Sequence, residues 1–330
     1  MNDETRAVDA LECFELDGTK QWALIRGNPD APVLLLIQQG PGLPMIQEAP
    51  ALERALELEE RFRVVYWDQR GTGRSFTPGT RHGETIDDLA GDTRQLVRAL
   101  CERLGVARVH VVGFSLGGTL GLLAATQDPT HFASLVCVGP DVNFPEAERF
   151  AYAFALEPAE RRGNRRALRA LRAAGEPPHR DAKAFMTRVR WVSNFGGVHA
   201  KKSFWGLLGG TLGALWESPH YDPWQVLGAL RGIDATQAAV LPKLGDFDLL
   251  GRELHVRVPV EIFQGRLDAA APPALSRALA ERLNVPLVEF EHSAHMPHHE
   301  EPARFRAMLL RFIDHVEGRE RGAVPEVAAE

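Results

Sequence analysis

The sequence predicts an α/β fold in which a mostly parallel, eight-stranded sheet is flanked by helices and carries a helical lid as an insertion. Short apolar, β-branched segments alternate along the chain with longer segments whose apolar residues recur at helical spacing. One apolar segment, 108–112, leads directly into a glycine-flanked serine and then into an apolar helix. The third observation is that the segment 141–251 contains no predicted strand, which indicates an insertion.

The predicted elements follow one another at the spacing of a sheet with helical crossovers. Strands are predicted at 11–15, 21–26, 33–37, 63–67, 108–112, 134–138, 258–263 and 286–290. A helix that opens at Glu84 and Thr85 keeps apolar residues at helical spacing through Leu104. A last helix is expected from about 302 to 316.

The chain divides into a core, a lid and a tail. The core is predicted to comprise residues 1–140 and 252–318, the helical lid residues 141–251 and a flexible tail residues 319–330. The lid is rich in aromatic residues, which include Trp191, Trp205, Trp216 and Trp224. We expect most of these aromatics to fill the core of the lid, and one or two to line an apolar substrate pocket.

Composition excludes several classes of protein. The 330 residues are 45% hydrophobic and 25% charged, which is ordinary for a globular protein, and the net charge of −6 provides no footprint for nucleic acid. The longest apolar runs are too short to cross a bilayer. The acidic, polar start lacks the features of a signal peptide, and the cysteine count of three is odd. We therefore expect a cytoplasmic protein with free thiols and no membrane partner.

The strongest chemical signal is the run 113–117, which reads G-F-S-L-G between a predicted strand and a predicted helix. A serine on so tight a turn needs small neighbours. This strand–turn–helix context is typical of a nucleophile elbow, whose serine points out of the sheet toward a ligand. Ser115 is therefore the candidate nucleophile.

A nucleophilic serine needs a base and an acid that orients the base. Asp268 lies just past the predicted strand 258–263, where catalytic groups collect in open α/β sheets, whereas the rival acids Asp246 and Asp248 precede that strand. The loop after the last strand offers four candidate bases, namely His292, His295, His298 and His299. Metal binding is the competing interpretation of these histidines, but no zinc-site cysteines lie near them, so no metal is expected.

From about residue 20 to 315 the chain resembles the α/β-hydrolases of the proline iminopeptidase group. Residues 64–75, VVYWDQRGTGRS, match that group's D-Q-R-G-x-G-x-S segment, and residues 293–302, SAHMPHHEEP, match its S-x-H-x-P-x-x-E-x-P segment. The second match implies that His295 is the base, and the match of 265–268, GRLD, supports Asp268 as the acid. Asp68 and Arg70 are expected to brace the loop beside the active site.

The sequence departs from this group at two places. Residues 38–42 read Q-Q-G-P-G where the group reads H-G-G-P-G, and Leu116 follows the serine where peptidase members commonly carry tryptophan. The backbone N–H groups of Gly40 and Leu116 are the expected oxyanion donors. Gln39 is expected to place an amide in the pocket.

The prediction is a serine hydrolase that cleaves an ester or amide bond of a small molecule or short peptide through an acyl-enzyme, with no cofactor. Because an aminopeptidase must bind an ammonium group, the lid carboxylates Glu146, Glu148, Glu217 and Asp222 are candidates for that role. An esterase, lactonase or thioesterase acting on an apolar acyl group is the alternative, and a non-catalytic ligand-binding homologue is a further one. The expected substrate contacts are Gln39, Phe114, Glu146, Glu148 and Trp216.

Overall fold

The computed structural model describes residues 8–79 and 85–318, so the predicted tail 319–330 lies outside the described residues. The described residues form one eight-stranded sheet. Its strands are β1 (Val8–Leu16), β2 (Thr19–Gly27), β3 (Val33–Ile37), β4 (Arg63–Asp68), β5 (Val109–Phe114), β6 (Phe132–Val138), β7 (Val260–Gly265) and β8 (Leu287–Phe290). The eight predicted strands are confirmed, and β3 has the predicted ends.

The strand order in the sheet is β1-β2-β4-β3-β5-β6-β7-β8. The strands β1 and β2 form an antiparallel hairpin, and β2 also pairs antiparallel with β4. All other neighbours are parallel. The predicted mostly parallel sheet is therefore confirmed, and the carboxyl ends of β3, β5, β6, β7 and β8 meet at one edge, where ligands bind in such sheets.

Helices cover both faces of this sheet. They are α1 (Ala49–Leu56), α2 (Ile86–Leu104), α3 (Leu116–Gln127), α4 (Phe144–Arg161), α5 (Arg165–Ala174), α6 (Ala182–Asn194), α7 (Phe204–Glu217), α8 (Pro223–Leu244), α9 (Pro273–Leu283), α10 (Pro297–Glu300) and α11 (Pro302–Val316). The helix α2 begins at a reciprocal cap between Thr85 and Asp88 and ends at Gly105, whose φ is +68°. None of the described helices is both long and apolar enough to cross a membrane.

Alternate residues of the central strands pack into two separate hydrophobic layers. In β3, Leu35 joins the layer that contains Leu96 of α2 and other residues of α2 and α3. Leu34 joins the opposite layer with Leu52 of α1 and Leu309 of α11. Because both faces of each central strand are buried, these strands are apolar at nearly every position, and for this reason the sequence marks them clearly.

Five helices, α4 to α8, lie between β6 and β7, in the segment predicted to form the lid. Trp191 of α6 is buried, but Trp205 and Trp216 of α7 and Trp224 of α8 are 59%, 71% and 81% exposed. The prediction that most lid aromatics fill its core is therefore wrong for these three. The helix α7 is apolar on nearly every side. Because one side faces a cavity, the opposite side is left to solvent. The exact division at 140/141 and 251/252 stays a prediction.

Candidate active site

Ser115 lies on the tight turn between β5 and α3. Its φ of +52° and ψ of −122° form a strained conformation that costs about 1–3 kcal/mol. A Cβ atom on Gly113 would come within 2.3 Å of the Gly117 carbonyl oxygen, and one on Gly117 within 2.4 Å of the Gln38 carbonyl oxygen. The close approach of these backbones therefore requires the glycines that flank the serine.

Asp268 follows β7, and its two carboxylate oxygens accept separate sets of hydrogen bonds. The backbone N–H groups of Ala270 and Ala271 donate to Oδ1, both at 2.8 Å. His295 Nδ1 donates to Oδ2 at 2.7 Å, and Gln264 Nε2 donates to the same oxygen at 3.2 Å. Because the Nδ1 proton of His295 is directed at Asp268, its Nε2 is left to accept a proton.

The surroundings of His295 make it a stronger base. Burial opposes the shift, but the charge of Asp268 and its hydrogen bond raise the pKa of His295 above 6.5, and Asp141 and Glu300 act in the same direction. A base whose pKa lies closer to the operating pH accepts protons more readily in the transition state.

Of the four histidines in this loop, His295 is the one that is bonded to the predicted acid. His292 is exposed. His298 packs against the ring of Phe114 at 4.4 Å between centroids, and burial holds its pKa well below the ordinary value. His299 faces the cavity described below, and burial lowers its pKa to about 4. Phe114, an expected substrate contact, packs against His298 and is not among the residues that line this cavity.

The rival acids lie elsewhere. Asp246 forms an exposed ion pair with Arg180, at 2.6 Å, and Asp248 accepts a hydrogen bond from the backbone N–H of Leu250 at 3.0 Å. Over residues 8–79 and 85–318, no group of three or more His, Cys, Asp or Glu side chains is placed to hold a metal ion.

Asp141 is a site residue that the sequence analysis missed. It follows β6, the strand next to the one that leads to Ser115, and Ser115 Oγ lies 3.5 Å from its Oδ2. Burial raises the pKa of Asp141 to about 6, with the charge of His295 opposing the shift and that of Asp268 adding to it. A signal was present in the sequence, because a carboxylate just after one parallel strand lies near groups that follow the neighbouring strands.

The loop after β3 contains Gly40, one of the two predicted oxyanion donors, and the other, Leu116, lies at the start of α3. Gln39 and Gly40 line the cavity, whereas Gln38 points toward the β4 side, where its Oε1 accepts a hydrogen bond from Thr72 Oγ1 at 3.1 Å. Leu116 is the first residue of α3, so its N–H has no acceptor within the helix. The loop thus presents Gln39 and Gly40 to the ligand space near the start of α3.

The D-Q-R-G segment braces this loop, as expected from the sequence. Asp68 Oδ1 accepts the backbone N–H groups of residues 45 and 46, at 2.7 and 2.9 Å. Its Oδ2 accepts the hydroxyl of Tyr221 from the insertion. Arg70 forms a buried ion pair with Asp92 of α2. The segment therefore joins the loop after β3 to the core and to the insertion.

A cavity of about 450 Å³ opens above the serine. Ser115, Asp141 and His295 supply polar groups at one side, and the inserted helices supply mainly apolar side chains. The apolar lining includes Phe144, Phe185, Val192, Phe204, Leu207 and Ile233. A pocket of this kind fits an apolar group attached to a reacting carbonyl.

Two of the predicted lid contacts lie outside this cavity lining. Glu148 lines the cavity and is buried, where it pairs with Arg188 and accepts the Nδ1 hydrogen of His179 at 3.0 Å. Glu146 lies two residues earlier on α4, about 200° around the helix, and is exposed. Trp216 faces solvent on the outer side of α7.

The connection between α6 and α7 joins the insertion to the loops that carry Asp268 and His295. The backbone N–H of Ala269 donates to the carbonyl of Gly197 at 2.9 Å, and that of His295 donates to the carbonyl of Val198 at 3.0 Å. A Cβ atom on Gly197 would lie 2.6 Å from the Cβ of Ala269. The insertion is thus hydrogen-bonded to the backbone of His295 and to that of Ala269, the residue that follows Asp268.

The sheet order and the serine turn define a hydrolase of the α/β class. The family model described as alpha/beta hydrolase fold matches residues 32–302, and the chain belongs to this family. Its relatives include a Bacillus subtilis (strain 168) protein named "Probable aminopeptidase YbaC", which is 27% identical over 94% of this chain and 98% of its own length. A Neisseria gonorrhoeae proline iminopeptidase is 34% identical over 34% of each chain.

Solved structures share the fold. The proline iminopeptidase of Mycobacterium smegmatis superimposes with a TM-score of 0.67 at 22% identity, covering 93% of this chain and 99% of that one. A proline iminopeptidase-related protein from Thermus thermophilus superimposes with a TM-score of 0.64 at 21% identity, covering 95% of this chain and 100% of that one. The chain is therefore an α/β-hydrolase whose relatives include aminopeptidases.

Proposed function

We propose that this protein is a serine hydrolase that cleaves ester or amide bonds through Ser115, His295 and Asp268. The observation that carries the proposal is the 2.7 Å hydrogen bond between His295 Nδ1 and Asp268 Oδ2, with His295 and Ser115 lining one cavity. This bond fixes the tautomer in which Nε2 is the proton acceptor. The strained turn at Ser115 supports the same role, because strain of this kind recurs at functional sites.

The reaction would proceed through an acyl-enzyme. Ser115 Oγ attacks the carbonyl carbon while His295 Nε2 takes the hydroxyl proton, and the backbone N–H groups of Gly40 and Leu116 stabilise the oxyanion. His295 then returns the proton to the leaving alcohol or amine. A water molecule, deprotonated by His295, attacks the acyl carbon and releases the acid and Ser115.

For the substrate, we infer an apolar aminoacyl ester or amide, including short peptides with a free amino terminus. The apolar cavity lining supports the apolar side chain, and the relative named as a probable aminopeptidase, which matches along 98% of its length, supports the amino group. The second candidate is an esterase, lactonase or thioesterase for an apolar acyl group without an amine, which the same lining favours. A non-catalytic binding protein would leave the hydrogen-bonded acid and base without a role.

Labelling with a fluorophosphonate probe tests the nucleophile. The wild type is expected to react covalently, and Ser115→Ala should lose labelling and reduce kcat on p-nitrophenyl esters by on the order of 10⁶-fold. Ser193→Ala is the matched control, because Ser193 lines the same cavity, and it should still be labelled. Labelling that persists in Ser115→Ala would contradict the assignment. Aminoacyl-naphthylamides and p-nitrophenyl esters, measured side by side, then separate the two candidate functions.

A further inference from the structure

Three carboxylates line the cavity, and two of them already face positive or donor groups. Glu148 pairs with Arg188 and accepts two hydrogen bonds from His179, at 3.0 and 3.1 Å. Glu48 lies 3.7 Å from His299 Nε2 and accepts a hydrogen bond from Gln47. Burial raises the pKa of Glu48, and the hydrogen bond from Gln47 and the charge of Lys202 oppose this shift. A new cation in the cavity would have to compete with these partners.

The third cavity carboxylate, Asp141, differs in both position and surroundings. The polar contact at its Oδ2 is the Ser115 hydroxyl at 3.5 Å, which is long for a hydrogen bond between oxygens. The charges of His295 and Arg188 both act on Asp141, but His295 is hydrogen-bonded to Asp268 and Arg188 is engaged by Glu148. A negative group therefore lies beside the nucleophile and is open to the cavity. A half-buried carboxylate with so few partners is stabilised by a cation that hydrogen-bonds to it.

The covalent geometry of an aminoacyl group matches this position. In an α-amino acid ester or amide, the amino nitrogen is two bonds from the carbonyl carbon, which places the two atoms about 2.4 Å apart. When that carbon rests about 3 Å from Ser115 Oγ, the ammonium group lies within hydrogen-bond reach of the Asp141 carboxylate. The Oδ2 atom of this carboxylate is 3.5 Å from the same serine oxygen. We infer that Asp141 binds the α-ammonium group of the substrate and selects acyl groups with a free amine. This inference rests on the proposed function, because it takes Ser115 as the nucleophile.

In this arrangement, the ammonium group binds at the end of β6 and not at the lid carboxylates expected from the sequence. Glu217 is exposed, and Asp222 caps α8 by accepting the N–H groups of Trp224 and Gln225, both at 2.9 Å. Glu146 is exposed on α4. None of these three is among the residues that line the cavity above Ser115. An acyl group without the amine would shield the Asp141 carboxylate from water without supplying a cation, so such substrates are disfavoured.

A matched pair of esters tests the inference. L-leucine ethyl ester and N-acetyl-L-leucine ethyl ester share the scissile bond, the leaving group and the side chain, and they differ at the amine. The measured quantity is the ratio of kcat/KM for the free ester to that for the capped ester, in which any general loss of activity cancels. Asp141→Asn should lower this ratio by about 10- to 100-fold, as expected for a hydrogen bond between two charged groups. Glu217→Gln is the control and should keep the wild-type ratio.

The pH dependence of the ratio provides a second readout. The ratio should fall in the wild type as pH drops through about 6, where Asp141 becomes protonated, and this fall should be absent in Asp141→Asn. His295, Asp268 and Arg188 also face Asp141, but they act on both esters alike.

The failures can be told apart. Loss of fluorophosphonate labelling in the wild type would contradict the proposed function. Three outcomes with an intact label would overturn the role of Asp141 alone. In the first, Asp141→Asn loses equal activity on both esters. In the others, the wild type prefers the capped ester or hydrolyses neither ester. Fluorophosphonate labelling of Asp141→Asn verifies that the variant retains a folded site.

Discussion

The serine, acid and base turns at the edge of the sheet are built in a different way from the inserted helices above them. Backbone contacts hold the turns: glycine is required beside Ser115, and two N–H groups fix one oxygen of Asp268. Side chains define the cavity wall. The helix α7 forms part of this wall and carries apolar residues on nearly every side, so its outer side exposes apolar residues to solvent. The residues proposed for the reaction therefore lie on short turns, whereas the cavity proposed to select the substrate is assembled from residues far apart in the chain.

The largest expected effect comes from removing the base, which tests whether the turns act as one unit. His295→Ala should reduce kcat on a p-nitrophenyl ester by on the order of 10⁴- to 10⁶-fold, because nucleophile and base work together. The exposed neighbour His292 is the matched control, and His292→Ala should stay within about twofold of wild type. Steady-state kinetics on both variants decide the matter, and the reverse ranking would reassign the base.

The acid should come next in size. Asp268→Asn keeps the shape of the side chain but accepts poorly from His295 Nδ1, so kcat should fall by on the order of 10⁴-fold. Asp246→Asn removes an exposed carboxylate paired with Arg180 and should change kcat little. If Asp246→Asn proved the more damaging variant, the acid turn after β7 would have been misassigned.

A change in the cavity wall should alter substrate preference and leave the chemistry intact. Leu207→Ala removes an apolar side chain from the lining and should lower kcat/KM for p-nitrophenyl butyrate relative to the acetate by about 3- to 10-fold. Trp216→Ala, on the solvent side of the same helix, should leave this ratio unchanged. Equal effects of the two variants would mean that α7 acts through its overall stability and not through its inner face.

The smallest expected effect is a shift in pH dependence. His295 must be neutral to accept a proton, and its pKa is raised above 6.5 by nearby carboxylates, so kcat/KM for a capped ester should decline on the acidic side from a pH above that value. Asp141→Asn removes one of those charges, which lowers the pKa of His295 and moves the decline to lower pH. A decline that moves to higher pH would contradict the direction of this electrostatic coupling.

The sequence predicted the features that depend on neighbours in the chain. The strand β3 was predicted with its observed ends because every one of its five residues is apolar and buried. Gly113 and Gly117 marked the serine turn because a side chain there would collide with backbone. Asp268 was predicted from its position just after a strand, and His295 from its place in the segment S-x-H-x-P-x-x-E-x-P. Neither prediction depends on how distant residues pack.

Features that depend on distant residues were not predicted. Glu148 was considered as a substrate contact, but its pairing with Arg188 joins α4 to α6 across 40 positions. The aromatic content of the insertion predicts core and pocket positions, whereas Trp205 and Trp216 lie on the solvent side of a helix that is apolar on nearly every side. Periodicity cannot orient such a helix, because it has no polar face.

The backbone contacts at Gly197 and Val198 determine how this insertion can change over evolutionary time. Backbone carbonyl oxygens make both contacts with the loops that carry Asp268 and His295, so most side chains can be exchanged there without losing a hydrogen bond. Gly197 is the exception, since a Cβ atom would collide with Ala269. Elsewhere in the insertion, exchange of side chains can reshape the cavity, whereas a side chain at position 197 would require Ala269, Phe154 and Val192 to shift.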